Sequence, residues 1–236
     1  MISSTPKWIG DLFESTLRPN MKVLETSYIS QQIKKIRFQG DISKMNVQIG
    51  YATIIRVSET EYRNYTIAYH DKEKGLFDII FHIHGNGVGS QYIDTLKTGD
   101  VLYIGPSRGR KLYDPGVKQQ FIFGDETCLG LANSFVPYLK KNNHRFQFYF
   151  ELDEENKKVP ELLGLENFTV FPKNGSFRNE KWINDLPLFK TSEWNTASFV
   201  LIGNVKSVQS FRKVIKNNMS GKITSQGYWL EGKKGL

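Results

Sequence analysis

Cysteine is almost missing from this sequence. Cys128 stands alone among 236 residues, so no disulfide can form within the chain and a disulfide-stapled scaffold is excluded. Long apolar runs are missing too, since no window approaches the roughly 20 residues that span a bilayer, and membrane insertion is not expected. The first ten residues lack a basic segment followed by an apolar core, so no secretory leader is expected, and with the lone cysteine this points to the cytoplasm. There is no run of five or more like charges, no internal repeat and no low-complexity tract. A disordered polybasic arm for nucleic acid is therefore not expected.

What is present begins with a charge excess: 32 Lys and Arg stand against 24 Asp and Glu, a formal net charge of +8. Such a field attracts anions in general and does not choose among them. Thr5-Pro6 followed by Trp8, Ile9, Leu12, Phe13 and Leu17 predicts a short amphipathic helix within residues 1–20, ended at Pro19-Asn20. Six stretches rich in Val, Ile, Tyr, Thr and Phe then predict strands at 22–29, 33–38, 49–57, 63–69, 77–84 and 101–105. Gly40-Asp41, Lys74-Gly75 and Thr98-Gly99-Asp100 separate some of them as turns, and 89–97 reads as one short helix. Six strands at this spacing predict a closed or nearly closed antiparallel β-barrel over 21–114.

Past a Gly-, Pro- and Asp-rich linker at 109–118 the rhythm changes. Strands at 120–124, 145–152, 168–171 and 199–203 alternate with helices at 126–142 and 205–218 and a partly helical 177–189. Strand and helix in alternation predict a parallel sheet covered on both faces, a second domain over 115–236.

The chemistry-bearing residues cluster between Arg63 and Ser90. In Arg63-Asn64-Tyr65-Thr66 a strand puts Arg63 and Tyr65 on one face; Arg63 can neutralise a pyrophosphate, Tyr65 can lie against a planar ring, and Thr66 offers a hydroxyl. His84-Gly85-Asn86-Gly87-Val88-Gly89-Ser90 follows a strand and leads a helix, where backbone amides form an anion site. Its spacing is not that of the dinucleotide fingerprint of βαβ folds. The kit suits a large phosphate-bearing cofactor such as a flavin. His82 and His84 alternate on one strand; without a third ligand they read as packing and hydrogen-bonding residues, and no metal is expected. Cys128 reads as a buried structural cysteine. The loop Gly124-Asp125-Glu126-Thr127 lies at the carboxyl end of a strand, where α/β sheets bind nucleotides, although Asp125 as a helix cap and Glu126 on the helix dipole also account for it.

Taken in order, these segments resemble the siderophore-interacting proteins, flavin-dependent ferric-siderophore reductases of the ferredoxin-reductase-like superfamily. The residues that carry the resemblance are Arg63-x-Tyr65-Thr66; His84-Gly85 with Gly87-Val88-Gly89-Ser90; Gly99-Asp100 through Gly105-Pro106-x-Arg108-Gly109; Gly124-Asp125-Glu126-Thr127; and Gly227-Tyr228-Trp229-x-x-Gly232. The resemblance covers Met21 to the end and implies a FAD-binding barrel followed by an NAD(P)H-binding α/β domain. It implies a cofactor site of Arg63, Asn64, Tyr65, Thr66, His82, His84, Gly85, Val88, Gly89 and Ser90, with Asp125, Glu126 and Thr127 near the nicotinamide. It also implies a substrate region at Tyr228, Trp229, Lys233 and Lys234. Three positions depart from the family pattern: Val88-Gly89, Gly203-Asn204 in place of Gly-Glu, and Leu230 in place of an arginine, which leaves Lys233 and Lys234 as the terminal cations.

The activity so implied is NAD(P)H-dependent reduction of a ferric siderophore or other Fe(III) chelate, with release of Fe(II). A flavin reductase serving another redox protein is the nearer alternative, and reduced ferredoxin is an alternative donor. A barrel that stacks single-stranded nucleic acid leaves the second domain and the glycine turn without a purpose, so no nucleic-acid partner is expected.

Overall fold

The computed structural model describes residues 20–85 and 87–233; the expected N-terminal helix, Asn86 and Lys234 lie outside them. The chain divides into two units, the first ending at Lys111 and the second beginning at Leu112. No helix among the described residues is long and apolar enough to cross a membrane.

In the first unit, strands β1 (Met21–Ser30), β2 (Ile33–Gly40), β3 (Ala52–Arg56), β4 (Tyr62–Asp71), β5 (Leu76–His82) and β6 (Val101–Leu102) pair in the order β3-β4-β5-β2-β1-β6. All pairings are antiparallel, and single bridges Ile55–Ile104 and Ala52–Arg108 tie the chain after β6 back to β3. The ring is thereby closed, as the six apolar stretches predict. Ile36 and Phe38 on β2, Ile67 on β4, and Phe77, Ile79 and Phe81 on β5 fill it. Helix α1 (Val88–Thr95) contributes Ile93 to the same core. The β4–β5 turn needs its glycine: Gly75 has φ +65°, and a Cβ there would lie 2.5 Å from the Gly40 carbonyl oxygen.

Three expected strands are shorter in the structure, and the last of them, β6, stops at Leu102, with Ile104 keeping only a single bridge to Ile55. β3 starts at Ala52 because Ile49 is buried in the preceding loop and Gly50 turns the chain at φ 85°. An apolar residue packed in a loop has the composition of a strand without its ladder. β5 ends at His82, two residues early.

In the second unit β7 (Gln119–Gly124), β8 (Arg145–Leu152), β9 (Phe168–Pro172), β10 (Ser198–Asn204) and β11 (Ile223–Trp229) form a parallel sheet in the order β11-β10-β7-β8-β9. The helices are α2 (Leu129–Lys141), α3 (Val159–Leu162), α4 (Glu180–Asn184) and α5 (Val205–Asn218). Every residue of β10 is buried, as expected of a central strand covered on both faces. Phe121, Phe123, Phe177, Phe199 and Phe211 pack into one core, with Phe123 4.5 Å from Phe177 and 4.9 Å from Phe211. The sequence reading omits α3 and β11. The first is a single turn; the second is an edge strand, half-buried throughout, whose Thr, Ser, Gln and Gly hide the strand signal.

Candidate functional site

In the first unit, β4 delivers Arg63 and Tyr65 to the N-terminus of α1. A Cβ on Gly89 would lie 2.7 Å from the Tyr65 hydroxyl and 3.0 Å from Arg63 Cγ, so the close approach of strand and helix depends on this glycine. The helix begins at N-cap Gly87 with no side chain capping it and no acidic residue in its first turn. Its leading amides and positive dipole end therefore face the same space as the arginine. Arg63 is held from below: Nη1 donates to the Tyr62 carbonyl at 2.9 Å and Nη2 to Glu61 at 3.3 Å. Its side chain keeps 22% of its surface exposed, enough to meet a ligand.

Tyr65 stands edge-on to Phe81 at 4.7 Å. Burial pushes its phenol well above the ordinary value, with the Arg63 charge opposing, so the ring stays neutral. Thr66 is buried beside it and Asn64 is exposed. Ahead of the helix, Gly85 adopts φ 84°; its N–H donates to Ser90 Oγ at 3.2 Å, and Gln91 Nε2 donates to its carbonyl at 3.3 Å. His82 and His84 have ring centroids 5.7 Å apart, and His84 Cε1 would lie 2.9 Å from a Cβ on Gly87. The structure thus brings Arg63 and Tyr65 against Gly89, in the first helical turn that Val88 and Ser90 share with it. Cation, uncapped amides and neutral ring form a cradle that suits a phosphate-bearing flavin.

In the second unit the loops at the carboxyl ends of β7, β8, β9, β10 and β11 are tied by two buried carboxylates. Asp125 accepts from the Thr127 amide at 2.9 Å and from the Thr127 hydroxyl on one oxygen, and from the Asn204 amide at 2.8 Å and Trp229 Nε1 at 2.6 Å on the other. A Cβ on Gly203, φ +121°, would sit 2.6 Å from that carboxylate, so only glycine admits it. Glu126 accepts from the Asp153 amide at 2.7 Å, Asn156 Nδ2 at 3.3 Å and Lys173 Nζ at 2.6 Å. Lys173 also lies 5.2 Å over the Trp229 ring. Burial opposes its charge, yet Glu126, Asp125 and Asp153 raise its pKa above the ordinary value and hold it charged.

Asp125 and Glu126, read as nucleotide-facing, are thus 2% and 1% exposed and bonded inward; the half-buried Thr127 is the residue of this loop that keeps access to solvent. Trp229 spends its indole N–H on Asp125, Tyr228 is half-buried, and Lys233 is exposed. Arg178 and Lys206, which are among the cations available for a nucleotide phosphate, both pair with Glu231. Cys128 is fully buried, and burial with the nearby Asp125 charge drives its thiol far up, so it is no nucleophile. Sequence reasoning missed Lys173, whose only local signal is its place just past a strand.

Glu151, 3% exposed on β8, is pushed above its ordinary pKa first by burial and also by Asp125, with a hydrogen bond from Ser207 and the charges of Lys173 and Arg178 opposing. A raised folded pKa means that the stability from its protonated form is present below about 4.3, the unfolded value, and is lost as pH rises through the folded one. Glu151→Gln is expected to raise stability at pH 7.5 and to change it little near pH 4, measured by urea unfolding at both. A variant less stable at pH 7.5 would contradict this.

Residues 20–113 match the family model described as Oxidoreductase FAD-binding domain. A curated relative, NADH-cytochrome b5 reductase 1 of Dictyostelium discoideum, is 31% identical over 58 residues, 25% of this chain and 20% of that protein. The match thus spans about a fifth of the relative's length. Among solved structures, the siderophore-interacting protein SipS from Aeromonas hydrophila matches with TM-score 0.69 at 17% identity, covering 90% of this chain and 99% of that one. Phthalate dioxygenase reductase, a modular structure for electron transfer from pyridine nucleotides to [2Fe-2S], matches with TM-score 0.71 at 15% identity over 91% of this chain and 69% of that one. At these identities the structures show a shared two-domain fold.

Proposed function

We propose that this chain, whose residues 20–113 form an oxidoreductase FAD-binding domain, is an NAD(P)H-dependent reductase of ferric siderophores or other Fe(III) chelates. The observation that carries the cofactor assignment is the meeting of Arg63 and Tyr65 with the glycine at the head of α1. Arg63 and the amides of Val88, Gly89 and Ser90 hold the FAD pyrophosphate, with Gly85 shaping the approach. Tyr65 and Thr66 border the ring system, and Asn64, His82 and His84 lie at its margin. Bound FAD would supply the redox chemistry, two-electron exchange with a nicotinamide and one-electron exchange with an acceptor. The chain adds no acid or base to that transfer. Neutral Tyr65 places no anion beside the ring, and Arg63 offsets the pyrophosphate charge.

In the second unit the nucleotide meets Thr127 of the loop after β7, while Asp125 and Glu126 act from inside, fixing that loop to β9, β10 and β11. The substrate is an anionic chelate; gaining one electron turns its Fe(III) into Fe(II), which hard oxygen ligands hold far more weakly. Exposed Lys233 and the Tyr228–Trp229 pair form the cationic and aromatic region that receives it, and Lys234, next in the sequence, adds a second cation. The likeness to SipS and the net charge of +8 support this choice.

A second reading, electron delivery to another redox protein, is favoured by the likeness to phthalate dioxygenase reductase and to a cytochrome b5 reductase. The test mixes anaerobically reduced protein with ferric siderophore and an Fe(II)-specific chromogenic chelator. Flavin reoxidation matched by two Fe(II) per FAD is expected. Reduced protein that ignores every ferric chelate yet passes electrons to cytochrome b5 or a [2Fe-2S] protein would select the second reading.

A further inference from the structure

Lys34 breaks the pattern of its strand. On β2 it shares the face of Ile36 and Phe38, which line the barrel core, and it is 2% exposed. Alternation asks for an apolar residue there. The ammonium is instead spent on one end of one helix: Nζ donates to the carbonyls of Ile93 at 3.1 Å, Asp94 at 2.8 Å and Leu96 at 2.8 Å. These belong to the last turn and C-cap of α1, a helix with no basic residue of its own in that turn. Lys34 also lies 5.3 Å from the Tyr28 ring, and the Tyr28 hydroxyl bonds to Asp94.

An isolated helix of eight residues is far below the length that is stable in water, so its placement depends on tertiary anchors. One lysine bonds the carbonyls of Asp94 and Leu96 and shares that of Ile93 with the Leu96 N–H, and its charge complements the negative end of the dipole. The other end of the same helix, about 12 Å away at 1.5 Å per residue, carries Gly89 against Arg63, between Val88 and Ser90 in the first turn.

We propose that Lys34 is a positioning residue for the cofactor's pyrophosphate: by locking the C-terminal end of α1 to β2 it fixes the N-terminal amides in the direction the anion requires. The inference rests on the flavin reading above. It separates two halves of the ligand, because the amides serve the phosphates and not the ring.

The experiment strips the full chain of flavin and titrates wild type and Lys34→Met with FAD and with riboflavin, which has the ring but no phosphate. Methionine keeps the stem and suits the apolar face, so the barrel is expected to fold. Lys34→Met is expected to bind FAD about tenfold more weakly and riboflavin as well as wild type does. Equal loss for both ligands would reduce Lys34 to a general structural role, and no loss for either would overturn the inference outright. Wild type that takes up no flavin would overturn the flavin reading and this inference together, whereas wild type that binds FAD beside an unaffected variant sinks only the role of Lys34. If Lys34→Met does not fold, Lys34→Gln carries the same comparison.

Discussion

Arg63→Ala is expected to yield a folded protein that has lost most of its FAD. The side chain occupies the surface of β4 with 22% exposure, and its two anchors are the Tyr62 carbonyl and Glu61, neither a core group. Removing it leaves Glu61, itself 22% exposed, with access to water, so the penalty to folding is small. The penalty to binding is larger, because a guanidinium bonded to a phosphate contributes about 1.5 to 3 kcal/mol, a loss of roughly 10- to 100-fold in affinity. The measurements are FAD retained per chain after purification and the dissociation constant on reconstitution, with circular dichroism as the control for folding. Arg63→Lys, which keeps charge but not the fork, is expected to fall between. Undiminished FAD in Arg63→Ala would remove Arg63 from the site.

Lys173→Met is expected to cost more stability than any other substitution considered. Glu126 has no side-chain exposure and Lys173 only 17%, and their oxygen and nitrogen stand 2.6 Å apart. Deleting the cation strands a carboxylate where water cannot reach it, a loss of about 3 to 5 kcal/mol for a broken buried pair. Trp229 loses its cation as well, and the loops after β7, β9 and β11 lose a shared tie. The double variant Lys173→Met/Glu126→Gln is expected to recover much of the loss, since a neutral amide needs no counter-charge. A single variant as stable as wild type in thermal and urea unfolding would contradict the tie.

The parts that sequence made legible are those whose physics is local. Alternation and turn glycines mark all six barrel strands, and alternation of strand with helix marks the parallel sheet. The ends of β3, β5 and β6 were misread because apolar residues such as Ile49 and Ile104 have the same composition in a buried loop as in a ladder. β11 escaped because an edge strand half-buried along its length needs no apolar run. The site divides in the same way. Arg63, Tyr65 and the glycine turn lie on neighbouring segments and were readable as one kit. The pairing of Glu126 with Lys173 spans 47 residues and that of Asp125 with Trp229 spans 104, and no local spacing records either. Lys34 was visible only as one of many lysines. Its meaning depends on which helix end lies beneath it.

The central claim, that this chain carries electrons from a nicotinamide to its own FAD, is tested most directly by anaerobic titration of the purified protein with NADH and with NADPH. One equivalent of at least one of them is expected to bleach the visible absorbance of bound oxidised flavin. A flavin spectrum unchanged by either nucleotide would contradict the claim.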